Sequence, residues 1–132
     1  MKYMLLVYVD EPRVQALPEA EFNTMMRGCL EKADEEQRAG RYLDFQQLEA
    51  SSTAKTVRIR QGNVTLTDGP FAEAKEVLGG FNLVEAESME EALRMAAELP
   101  WAATGSIEVR PVRDIAEVRA RVGAPMPEQA AR

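Results

Sequence analysis

An opening segment that is apolar at nearly every position, a long helical apolar stripe behind it and a capped helix further on predict an α+β fold. With an inserted β-hairpin set aside, the order of elements is strand, helix, strand, strand, helix, strand. That is the split βαβ order (βαββαβ) of ferredoxin-like sheets, with the first and third core strands central and the second and fourth at the edges. Two helices in this order cover one sheet face.

The first strand is Lys2-Tyr3-Met4-Leu5-Leu6-Val7-Tyr8-Val9, a short run that reads as buried on both faces. Asp10-Glu11-Pro12 ends it, and a loop leads to Leu17-Pro18. Phe22, Met25, Met26, Cys29, Leu30 and Ala33 then recur at three- and four-residue steps and make one apolar stripe of a helix. Pro18 suits its first turn and Gly40 the position past its end. Glu31, Lys32, Asp34, Glu35 and Glu36 form its expected solvated side. Arg41-Tyr42-Leu43-Asp44-Phe45 reads as the second strand, and residues 46–55 as a polar connection.

Residues 56–60, a turn Gln61-Gly62-Asn63 and residues 64–67 read as a hairpin. Val57, Ile59, Val64 and Leu66 share one of its faces. It delivers the chain to Asp68-Gly69-Pro70-Phe71, a strand end followed by a turn. Residues 79–86 are the next strand, and Ser88-Met89-Glu90-Glu91 is a capping box. The helix it starts turns Ala92, Leu93, Ala96 and Leu99 inward and stops before Pro100. Residues 106–112 form the last strand. Pro111 cannot donate to a ladder, which puts this strand at an edge. The domain spans residues 1–113. A C-terminal extension, 114–132, holds a short helix to Val122 and a mobile tail from Ala124.

A chain of 132 residues suits one domain with its own core, and 45% apolar with 29% charged residues is a soluble, globular balance. The formal charge of −6 argues against nucleic acid, whose binders need a basic surface. No apolar run approaches the ~20 residues of a membrane helix, and no signal-peptide pattern opens the chain. A single cysteine precludes an internal disulfide and fits a reducing cytoplasm. The sequence has no histidine. That removes histidine general bases, Ser-His-Asp and Cys-His arrangements and histidine metal sites, and one cysteine leaves no thiolate zinc site. No metal or cofactor is expected. Any catalysis falls to Asp, Glu, Tyr, Lys and Arg.

The first strand sends Tyr3, Leu5, Val7 and Val9 to one side and Met4, Leu6 and Tyr8 to the other. Leaving these wet costs roughly 1.5–3 kcal/mol each. The expected cover for the second face is the hairpin in part, and a second copy of the chain with two-fold symmetry for the rest. Two sheets face to face enclose a space. Asp68 is either a carboxylate facing that space, as acid, base or ligand anchor, or the hydrogen-bonding residue of its own Asx turn. Tyr8, Phe71 and Arg110 are the candidate ligand contacts. Their plainer readings are a dimer-contact tyrosine, a core anchor and an edge-strand arginine in solvent. Cys29 reads as inert core.

Asp68-Gly69-Pro70-Phe71-Ala72-Glu73, Lys75-Glu76, Leu78-Gly79-Gly80-Phe81 and residues 105–111, in that order, resemble the YCII-related proteins of the DGPF type. Met1-Lys2-Tyr3-Met4-Leu5-Leu6 and Leu17-Pro18-Glu19 look like that family too. The likeness covers about residues 1–113. It implies a ferredoxin-like subunit, a dimeric α/β barrel, a bacterial origin and a cytoplasmic location. Some members are associated with sigma factors of the extracytoplasmic-function type. Better-studied relatives carry a His-Asp pair, which a chain without histidine lacks. Gln37-Arg38-Ala39 and Ala102-Ala103-Thr104 also stand where relatives carry other polar or aromatic groups. Two readings follow: a homodimer binding a small molecule near Asp68, with carboxylate acid/base chemistry if it is an enzyme, or an accessory interaction protein that meets a partner such as a sigma factor.

Overall fold

The computed structural model describes residues 1–127. The strands are β1 (Lys2–Val9), β2 (Tyr42–Gln47), β3 (Lys55–Arg60), β4 (Asn63–Asp68), β5 (Val77–Glu85) and β6 (Gly105–Pro111). The helices are α1 (Glu11–Gln15), α2 (Glu19–Arg38), α3 (Met89–Ala97), α4 (Trp101–Thr104) and α5 (Ile115–Val122), with a 3₁₀ turn at Ser51–Thr53. A four-stranded antiparallel sheet runs β2-β5-β1-β6, and β3-β4 form a separate ribbon. This is an α+β fold consistent with a ferredoxin-like arrangement. β1 and β5 are inside and the proline-bearing β6 lies at an edge.

The alternation of β1 decides the layers. Tyr3, Leu5 and Val7 are buried in one core with Val84 of β5, Ala33 of α2, Ala92, Met95 and Ala96 of α3, and Trp101 of α4. Met4, Leu6 and Tyr8 point the other way and are half-buried, as are Phe81 and Leu83 beside them. Helices α1 to α4 therefore share one face, and no described element packs extensively on the other.

Caps set the helix boundaries. Pro18 precedes α2, and Ala39 ends it just before Gly40. Ser88 caps α3 by accepting from the Glu91 amide at 3.2 Å, while the Glu91 carboxylate reaches back to the Glu87 amide at 3.3 Å. Asp114 caps α5 through the Ala116 amide at 2.9 Å. Asp10 caps α1 by accepting from the Arg13 amide. The short helix α1 replaces an expected loop, and α4 fills the stretch between Pro100 and the last strand, for which no element was expected. Helices of five and four residues are too brief to show an apolar period.

Several expectations are corrected. Met95, not Leu93, faces the core from α3, and Leu93 is exposed. Glu36, assigned to the solvated side of α2, is buried. Arg41 grips it with two hydrogen bonds, Nε to Oε2 at 2.6 Å and Nη2 to Oε1 at 2.9 Å, so the last turn of α2 is tied to the start of β2. The hairpin turn uses two residues, Gln61 and Gly62, both at positive φ, and Asn63 pairs with Arg60. Val57, Ile59, Val64 and Leu66 share a face as expected, but they are 60–72% exposed, so the hairpin covers little of the sheet. Residues 124–127 have no regular structure, but the Arg119 guanidinium donates to the Pro125 carbonyl at 2.7 Å. The rest of the expected tail lies outside the described residues.

Gly80 and Gly105 stand where the backbone comes too close for a side chain. A Cβ at Gly80 would lie 2.6 Å from the Gln46 carbonyl oxygen, and one at Gly105 would lie 2.1 Å from that of Tyr8. Either substitution to alanine should cost about 1–3 kcal/mol, read as a lower urea midpoint at unchanged slope. The Arg41 hydrogen bonds hold the Glu36 carboxyl below its ordinary value of 4.5, against the opposing effect of burial. The resulting stability is complete above that value and is lost as pH falls through the lower folded one. Glu36→Gln should therefore flatten the acid limb of stability against pH. An unchanged acid limb would contradict this role.

Candidate functional site

α2 is fastened at its C-terminal end, where Ala33 and Glu36 are buried. In its N-terminal half Phe22, Met25, Met26 and Cys29 pack against the core but remain half-buried. The sheet beneath presents Gly79 and Gly80 to the same space. A cleft of ≈ 320 Å³ results between α2 and the sheet. Val7, Gly80, Asn82, Tyr42 and Phe45 line its sheet side, and Phe22, Met26 and Cys29 its helix side. Trp101 also lines it, with its ring tilted against Phe22 at 6.4 Å between centroids. Glu11, Glu49 and Ala50 also line it, as do the polar Gln15, Gln46 and Gln47. The Glu11 carboxylate accepts from the Ser51 amide at 2.9 Å and from the Ser51 hydroxyl, which pins α1 to the 3₁₀ turn. Cys29 thus borders a cavity and is not sealed core.

Two polar side chains converge within this largely apolar space. Asn82 lies on the helix side of β5, opposite Leu5, and its amide nitrogen donates to Tyr42 Oη at 3.5 Å. Tyr42 is only 4% exposed. Burial, reinforced by the Glu36 charge, pushes its phenol up to about 12, so it stays a neutral hydroxyl at ordinary pH. The phenol can donate a hydrogen bond but supplies no base. Sequence inspection passed over both residues. The available signal was a polar side chain at an inward position of a central strand, two residues from a glycine.

The residues expected to carry a site are dispersed. Asp68 ends β4, with its side chain 86% exposed, and its carboxylate meets Lys55 Nζ across the hairpin. The segment after it is clipped to β3. The Gly69 amide donates to the Ala54 carbonyl at 2.7 Å, Thr56 Oγ1 donates to the Gly69 carbonyl at 2.8 Å, and Arg58 donates to the Phe71 carbonyl at 2.9 Å. Phe71 is 76% exposed, where a core anchor was the plainer expectation. Tyr8 and Phe71 do line one hollow together, with Val57 and Leu78. Arg110 faces Met4 across the ladder and is 3.7 Å from Glu108. Tyr8 faces Ser106, four residues away or roughly 13 Å along the strand. Asp68 and Arg110 line neither the cleft nor that hollow.

Among the described residues no three His, Cys, Asp or Glu side chains gather as a metal site, and no helix is long and apolar enough to cross a membrane. The chain is 38% identical over 114 residues to an uncharacterized protein of Rhizobium meliloti (strain 1021), an alignment that takes in 85% of this chain and 92% of that one. The model of the YCII-related domain matches residues 1–116, from β1 through β6 and into α5. The chain belongs to the YCII-related family.

Proposed function

We propose that this protein binds a small, largely apolar molecule in the cleft between α2 and the sheet, with Asn82 and Tyr42 as its polar contacts. The observation that carries this reading is the convergence of a nearly buried hydroxyl and an amide in a largely apolar cavity of ligand size. Ordinary packing fills such a space, and each void forfeits contacts to the atoms around it. The exposure of Asp68 and its pairing with Lys55 favour a structural carboxylate there and move the proposed site from the Asp68 turn to the cleft. A neutral Tyr42 and a Glu11 already engaged by Ser51 favour binding over acid/base turnover.

Trp101 is the sole tryptophan and lines the cleft, so its fluorescence reports occupancy. A fragment screen read this way should give hits whose affinity falls about tenfold in Asn82→Leu, the usual effect of losing one buried hydrogen bond. Cys29→Phe, which fills the cavity, should abolish them. Hits that survive both substitutions in folded protein, or a screen with none, would defeat the proposal.

A homodimer is the second part of the reading, and the uncovered sheet face supports it. Met4, Leu6, Phe81 and Leu83 form a half-buried apolar patch, and the aliphatic row of the hairpin is still more open. Two copies placed face to face would bury both. Light scattering should find a dimer at micromolar concentration, and Leu6→Glu should yield a folded monomer. A wild-type monomer would refute this assembly.

A further inference from the structure

Given the cleft as a binding site, we infer that its ligand is an amine: an apolar body carrying a cationic head, with a neutral oxygen at the other end. The charges on the cleft wall are all of one sign. Glu11 and Glu49 line it, and no lysine or arginine does. The cations beside Glu11, namely Arg13 and Lys75, line a separate hollow, and Lys75 lies 3.9 Å from Asp10. An anionic ligand entering here would meet two carboxylates with nothing to offset them, and like charges brought together in a partly dry site are strongly disfavoured.

A cation meets the reverse situation. Glu11 is held in place by Ser51, so little ordering is left to do, and each of its oxygens keeps a free lone pair. Phe22 and Trp101 line the same cleft, and aromatic rings attract ammonium groups. An ammonium has three donors and no acceptor, and the wall offers it carboxylate oxygens. Tyr42 asks for the opposite. Its oxygen accepts from Asn82, and among the described residues its own proton is donated to none, although the side chain is nearly buried. A neutral hydroxyl, ether or carbonyl oxygen on the ligand would take that proton. The ligand class is thus bounded at both ends, by carboxylates for the head and by a hydroxyl donor for the far end.

Calorimetric titration with three matched compounds tests this: tyramine, tyrosol and para-hydroxyphenylacetate, which share a ring and differ in a cationic, neutral or anionic terminus. Tyramine should bind about tenfold tighter than tyrosol, and the acid most weakly. Glu11→Gln still accepts from the Ser51 amide, its NH2 donating to the Ser51 hydroxyl instead, and Glu49→Gln alters a surface position. Each should lower tyramine affinity several-fold and leave tyrosol affinity unchanged, and the pair together should erase the preference. If the three compounds bind alike, or the acid binds best, with Asn82→Leu weakening all of them, the cleft stands and the amine inference falls. If none binds, or binding ignores Asn82→Leu, both fall. Should Glu11→Gln lower the urea midpoint, Glu49→Gln and the salt dependence of tyramine binding carry the test. A tyramine affinity that added salt leaves unchanged would overturn the inference.

Discussion

The constraint on which the rest depends is the position of β1, an unbroken apolar strand in the interior of a four-stranded antiparallel sheet with helices α1 to α4 packed on one side. Its period of two sends Tyr3, Leu5 and Val7 under the helices and Met4, Leu6 and Tyr8 away from them. Both rows are apolar, and one chain supplies cover for one row. The hairpin does not make up the difference, because its own aliphatic row is exposed. The second face of this sheet is therefore left with little cover among the described residues.

The covered face is not filled evenly. Glu36 and Arg41 lock the end of α2 to the start of β2, and Ala33 packs closely just before that lock. Toward its other end the same helix lines the cleft together with Gly79, Gly80 and Asn82 of the sheet. Gly80 is required there for a separate reason, the close approach of the Gln46 carbonyl. The bulge between β1 and β5, at Val7/Tyr8, falls at the same level of the sheet. The cleft thus lies under the half of α2 away from its pinned end. Its charged wall comes from Glu11 and Glu49, held on the short helix and connection beside it.

The Asp-Gly-Pro-Phe turn has a mechanical part in this. Its backbone is clipped to β3 by Ala54, Thr56 and Arg58, so it fixes the base of the hairpin and the path back to β5. Gly69, at φ +90, supplies a conformation that L side chains rarely adopt. Dense local constraint in this stretch marks a chain reversal, and the carboxylate at its start is spent on Lys55.

What the sequence by itself determined is local. Apolar period, caps and turn residues located β1, α2, the hairpin, α3 and the edge strand β6, because each signal is carried by neighbours a few residues apart. The missing histidine bounded the chemistry before any geometry was known. What only the tertiary structure decided is long-range. Whether Glu36 is solvated depends on Arg41 reaching back from the next strand, and whether Met95 or Leu93 turns inward depends on how α3 rotates against the sheet. Asn82 and Tyr42 sit 40 residues apart and meet only because β2 pairs with β5. A cleft is empty space between elements, and no run of residues encodes it without the packing that leaves it open.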